Sequence, residues 1–116
     1  MNSTVKTTNP LRDVSVLVPV YNDVSRIGKC IDSLLNLNYP KELYEIIVID
    51  NGSADGTYEF LSELIQEVED NSLSLIRCLT PGSYAARNAG LDIARGKCIA
   101  FTDSDCLVST HWLQNL

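Results

Sequence analysis

The sequence predicts an α/β domain: a mostly parallel sheet of about four strands flanked by helices. Three observations carry that expectation. Val14 to Val20 and Glu45 to Asp50 are β-branched and almost wholly apolar, the pattern of strands covered on both faces. Each is followed by a stretch whose apolar residues recur at helical spacing. Each strand also ends abruptly in polar, turn-forming residues, as parallel strands do before a crossover helix.

In chain order, Met1 to Arg12 reads as a flexible lead-in, which leaves residues 13–116 for the domain. The first strand runs over Val14 to Val20. Pro19 has no N–H to donate, so pairing is expected to fail there. Ser25 to Leu37 reads as the first helix, capped by Asp23 or Ser25, with Ile27, Ile31, Leu34 and Leu35 on one face. Pro40 forces its end. Glu45 to Asp50 is the second strand, and Asn51 to Gly56 is a run of turn formers in which Ser53 and Asp55 read as cap and turn residues. Thr57 to Val68 is the second helix, with Leu61, Leu64, Ile65 and Val68 inward. Leu73 to Leu79 is a short third strand. Ser83 is expected to cap a third helix, Tyr84 to Ala94, whose small residues Ala85, Ala86, Ala89 and Gly90 permit close approach to the sheet. Lys97 to Thr102 is the fourth strand. Ser109 to Leu116 reads as the start of another helix, with Trp112 and Leu113 inward.

A chain of 116 residues can bury one core, and the 45% hydrophobic and 21% charged content is that of a soluble globular protein. The formal net charge of −6 argues against a nucleic-acid-binding face. No apolar run reaches membrane-spanning length and the start lacks an apolar leader. A cytoplasmic protein is expected, at most held at the inner face of a membrane by another segment. Cys30, Cys78, Cys98 and Cys106 form no CxxC pair, so they read as reduced thiols rather than zinc ligands, with Cys98 and Cys106 as packing residues.

Chemistry-bearing residues collect where the strands end. The first strand delivers Pro19-Val20-Tyr21-Asn22-Asp23, the second Asp50-Asn51-Gly52-Ser53, and the fourth Asp103-Ser104-Asp105; Arg87 and Asn88 lie early in the third helix. Ligands of open parallel sheets sit outside the carboxyl ends of the strands. Paired carboxylates there suit Mg²⁺ or Mn²⁺, whose usual partner is a diphosphate.

Four stretches together, Val16 to Asn22, Ile47 to Thr57, Ala85 to Gly90 and Phe101 to Cys106, resemble family 2 glycosyltransferases of the GT-A fold, over about Asp13 to Leu116. The resemblance implies transfer of a sugar from a nucleoside-diphosphate sugar to a hydroxyl acceptor (a glycan, a lipid or another), with inversion and with Mn²⁺ or Mg²⁺. It implies Tyr21, after Pro19, against the nucleotide base, Asp23 near the nucleotide, and Asp50 and Asn51 on base or ribose. Asn51 stands where the family often has Asp, so the identity of the base is open. Arg87 would lie near the diphosphate or brace the acidic loop. Asp103, with Ser104, would face the ribose, and Asp105 would be the main metal ligand, with Asp103 nearby. In the family's strand order, about 3-2-1-4, the fourth strand is interior; in this chain it would be an exposed edge open to self-association. The catalytic base is expected beyond Leu116, so the sequence reads as the donor-binding half. Two alternatives stay open: a sugar nucleotidyltransferase, which would show a glycine-rich basic loop after the first strand, and a non-catalytic nucleotide-sugar-binding module.

Overall fold

The alternation along residues 14–20 is satisfied on both sides. Val14, Val16, Val18 and Val20 share one buried cluster with Ile46 and Val48, and Leu17 shares another with Ile47 and Ile49. A strand with two apolar faces has to lie between two layers of helices. The computed structural model, which describes residues 12–68, 70 and 72–115, has that architecture. Among the described residues, β1 (Arg12–Val20), β2 (Tyr44–Asp50), β3 (Leu73–Arg77) and β4 (Gly96–Phe101) form one parallel sheet in the order β3-β2-β1-β4. Helices α1 (Ile27–Leu35) and α2 (Thr57–Val68) cover the first face through Ile27, Ile31, Leu34 and Leu61. Helix α3 (Ser83–Ile93) covers the second through Ala86. Each fully buried aliphatic side chain of these layers contributes about 1.5–3 kcal/mol relative to exposure.

Close approach of α3 depends on Gly90, where a Cβ would come within 2.8 Å of Leu17 Cδ2 and 2.9 Å of Ile49 Cδ1. At the other end of the strands a buried polar cluster fixes the register. Glu45 Oε2 accepts from the Ser15 hydroxyl at 2.6 Å and from the Arg95 N–H at 2.7 Å, and Ser15 Oγ accepts from the Gly96 N–H at 2.7 Å. The buried polar atoms of this cluster are thus paired with one another rather than left unsatisfied in the core.

Several expectations need correction. Pro19 does not end β1; it pairs with Ile49 of β2. Val20 bonds towards β2, where its carbonyl accepts the Asn51 N–H at 2.9 Å, and Leu17 towards β4, where its carbonyl accepts the Thr102 N–H at 3.2 Å. Residues of a parallel strand alternate in this way, so Pro19 faces β4. Only that ladder is interrupted, and it stops at the Leu17–Phe101 pair. Helix α1 starts at Ile27 without a side-chain cap, because the Asp23 carboxylate is engaged elsewhere. Ser83 is the first residue of α3 and follows an uncapped Gly82 at φ +107°. Strand β3 stops at Arg77, since beyond it the Asn51 side chain takes the Cys78 and Thr80 carbonyls.

Residues 110–115 form turns rather than a helix. The Thr110 carbonyl, which a helix would need, accepts the Asn38 N–H at 2.7 Å; Leu113 is nonetheless buried and Trp112 half-buried. Cys98 and Cys106 are exposed, not packed, because one lies on an edge strand and the other in a loop. The lead-in at residues 1–11, along with residues 69, 71 and 116, lies outside the described residues. Among the described residues β3 and β4 are the two edges of the sheet, and Ile99 and Phe101 on β4 are about two-fifths exposed, at 38% and 42%. No helix among the described residues is long and apolar enough to cross a membrane.

Candidate functional site

The pleat decides which strand-end residues meet, because successive side chains of a strand point to opposite faces. Residues sharing parity with Leu17, Ile49 and Phe101 continue onto the α3 face: Pro19, Tyr21, Asn51 and Asp103. These residues, with Leu79, Pro81, Gly82 and Arg87, line an open cleft of about 660 Å³. A second hollow of about 510 Å³ adjoins it, shares Arg87 and Asp103, and is floored by Phe101, Leu107 and Trp112. Tyr21 is 62% exposed in the cleft. The Arg87 guanidinium lies 5.3 Å from the Phe101 ring centroid, a cation–π contact that aims it at the junction of the two spaces.

Residues of the other parity turn to the α1 and α2 face. Asp50 follows Ile46 and Val48 and is fully buried. Its Oδ2 accepts the Gly52 and Ser53 N–H groups at 3.2 and 3.1 Å and lies 3.4 Å from Arg77 Nε, while Oδ1 has no partner. Asp50 therefore shapes the β2–α2 loop and does not line the cleft. Asn51 does line it, but its amide donates both N–H groups to the carbonyls of residues 78 and 80 and accepts the N–H of residue 82.

Ser104 also turns to this side. Its hydroxyl donates to Asp23 Oδ2 at 2.6 Å, and Asp23 Oδ1 accepts from Arg26 Nε at 2.8 Å. Arg26 Nη1 reaches within 3.6 Å of Asp105 Oδ2. Burial pushes the Asp23 carboxyl up, but the bonds from Ser104 and Arg26 outweigh it and hold the group below its ordinary value. The loop after β4 is thus tied to the loop after β1 through one buried carboxylate. The β1 and β2 loops are tied in turn: Asn22, at φ +52°, accepts the Ala54 N–H at 2.7 Å, and its own N–H donates to Ser53 Oγ at 2.8 Å. Asparagine tolerates that left-handed backbone better than most residues.

Asp103 and Asp105 are both exposed, and a carboxylate oxygen of each lies with Cys106 Sγ in a group whose members are all within 4.8 Å of one another. Two hard oxygen donors at one loop fit a divalent cation such as Mg²⁺ or Mn²⁺; the sulfur favours the softer of the two. Nothing in the residue pattern singles out Arg26, Leu79, Pro81 or Cys106. Arg26 is one turn from the loops it joins, and the other three are ordinary loop residues until the chain is folded.

The family model for glycosyl transferase family 2 matches residues 15–116. The chain is 43% identical over 107 residues to glycosyltransferase AglE of Haloferax volcanii, covering 92% of this chain and 35% of that protein. It is 38% identical over 101 residues to the poly(ribitol-phosphate) beta-glucosyltransferase of Bacillus spizizenii, covering 86% of this chain and 16% of that one. The fold superposes on the mannosyltransferase PcManGT from Pyrobaculum calidifontis, solved in complex with GDP-Man and Mn²⁺, with a TM-score of 0.83, 28% identity and coverage of 93% of this chain and 34% of that one. It superposes on S. aureus TarS 1-349 in complex with UDP-GlcNAc with a TM-score of 0.76, 30% identity and coverage of 89% and 29%. The chain therefore spans about a third or less of the length of these proteins. A match to the family model over nearly every residue, on a GT-A sheet, leads to one conclusion: this chain belongs to glycosyl transferase family 2.

Proposed function

We propose that residues 13–116 are the donor-binding part of a cytoplasmic glycosyltransferase that moves a sugar from a nucleoside-diphosphate sugar to a hydroxyl acceptor, with inversion. The observation that carries the reading is the cleft itself. It joins an aromatic and apolar end, at Tyr21, Leu79 and Pro81, to a charged end, at Arg87 and Asp103, on one rim of a parallel sheet. That polarity matches a nucleoside diphosphate, flat and apolar-faced at one end and anionic at the other. The relatives solved with GDP-Man and with UDP-GlcNAc support the same ligand class.

In this reading Tyr21 meets the base, Arg87 offers its guanidinium to the diphosphate, and the sugar points to the second hollow. Asp103 and Asp105 would hold Mn²⁺ or Mg²⁺, which when bound offsets the charge of the departing diphosphate. Asp23, Ser104 and Arg26 hold the acidic loop in place, and Asp50 holds the β2–α2 loop. The general base that takes the acceptor's proton is assigned to no residue of this rim.

Calorimetric titration with UDP, GDP and dTDP, each with and without Mn²⁺, tests the reading on the chain and on Asp105→Ala. One nucleotide should bind in the presence of metal only, and the substitution should abolish that binding. Metal-independent binding, or binding unchanged in Asp105→Ala, would refute it.

A further inference from the structure

Asn51 sits on the cleft wall, yet both of its amide N–H donors and one lone pair of its amide oxygen are taken by the protein main chain. Its amide nitrogen donates to the Cys78 carbonyl at 2.9 Å and to the Thr80 carbonyl at 2.8 Å, and its amide oxygen accepts the Gly82 N–H at 3.1 Å. Only a primary amide can donate twice and accept once in this way; a carboxylate would set its oxygens against two carbonyls. All three partners belong to the segment between β3 and α3. That segment places Leu79 and Pro81 in the cleft wall beside Tyr21. Leu79 is 74% exposed, so burial of its own side chain does not hold it there. The main chain holds it, and Asn51 holds the main chain.

We infer that Asn51 is a positioning residue for the nucleobase: it latches residues 78–82 so that Leu79 and Pro81 form an apolar wall against the face of the base, and it does not itself read the base. The inference rests on the donor-site reading above and adds to it which residues form the nucleoside end. Exposed apolar groups held rigidly around an open cleft fit a flat, weakly hydrated ring. The diphosphate end, at Arg87 and Asp103, is held by other elements. The latch should therefore act on the nucleoside alone.

The test is calorimetry of UDP, GDP and inorganic pyrophosphate, all with Mn²⁺, on the chain and on Asn51→Ala, Asn51→Asp and Leu79→Ala. Both Asn51 variants should bind the nucleotide about tenfold more weakly or worse, the equivalent of one or two lost hydrogen bonds. Pyrophosphate affinity should not change. Leu79→Ala, which removes an exposed side chain and leaves folding intact, should reproduce the nucleotide-selective loss. Unchanged nucleotide affinity in the Asn51 variants, or equal loss of nucleotide and pyrophosphate, would overturn the inference while leaving the donor site in place. If the Asn51 variants fail to fold, Leu79→Ala decides alone, and unchanged nucleotide binding there overturns it. If the unmodified chain binds neither nucleotide nor pyrophosphate, the donor-site reading falls and the inference with it.

Discussion

Replacing Asp23 by Asn keeps the shape of the side chain and removes the charge that joins two loops. In the structure the carboxylate accepts the Ser104 hydroxyl at 2.6 Å and Arg26 Nε at 2.8 Å. An asparagine can still face Arg26 with its oxygen and donate its N–H to Ser104 Oγ, so one charge-assisted bond becomes neutral, a loss of about 1 kcal/mol. The Arg26 side chain is 62% exposed, so screening limits the lost ion pair to about 0–1 kcal/mol. The expected cost is about 1–2 kcal/mol, a fall of roughly 4–10 °C in Tm for a domain of this size. A double-mutant cycle with Ser104→Ala should return a coupling of about 1 kcal/mol in urea unfolding.

The same carboxylate sets a pH dependence. Its folded pKa lies below the ordinary value, so its contribution is complete above about pH 4 and is lost as pH falls through the lowered folded value. Asp23→Asn should flatten that acid limb. Asp55, held low chiefly by the Thr57 hydroxyl, contributes to the part that remains. Unfolding free energy and acid limb both unchanged in Asp23→Asn, with zero coupling to Ser104, would show that the two loops are not joined through this group.

Three further outcomes follow from the packing. A Cβ at Gly96 would lie 2.4 Å from the Ser15 backbone nitrogen, which cannot move aside. Gly96→Ala should therefore cost about 3 kcal/mol or more in urea unfolding, at the upper end for overpacking. Under native conditions iodoacetamide should label the exposed Cys98 and Cys106 first. Cys30, buried and with its thiol pushed up to about 12, should react only on unfolding, as peptide mass mapping would report. The edge strand β4, with Ile99 exposed, should give concentration-dependent association in sedimentation velocity, and Ile99→Lys should abolish it.

The sheet was legible because its strands are long apolar runs whose meaning does not depend on context. Val14 to Val20 and Glu45 to Asp50 admit no other reading, and Thr57 to Val68 is bounded by its own loop chemistry. What escaped notice depends on which distant group a side chain finds. Asp23 is as good a cap as any until Ser104, far along the chain, takes it. Asp50 and Asn51 are adjacent and both polar, and only the pleat separates them. It sends Asp50 into the β2–α2 loop and Asn51 to the cleft, where main-chain groups of residues 78–82 claim it. The turns at 110–115 escaped for the same reason: Asn38 takes a carbonyl that local propensity assigns to a helix.

A missing hydrogen atom gives the cleft its mouth. In the register set by Leu17 and Phe101, the next bond of the β1–β4 ladder would run from the nitrogen of residue 19 to the Thr102 carbonyl. Proline at 19 has no such donor, so β4 is let go at that point, and Asp103, Ser104 and Asp105 leave the sheet as a loop. Any other residue at 19 would offer the bond and invite the two strands to run on side by side, drawing the acidic loop back into the sheet. The opening is thus begun by backbone chemistry, and the side chains of Asn51, Asp23 and Ser104 then hold the loops that border it.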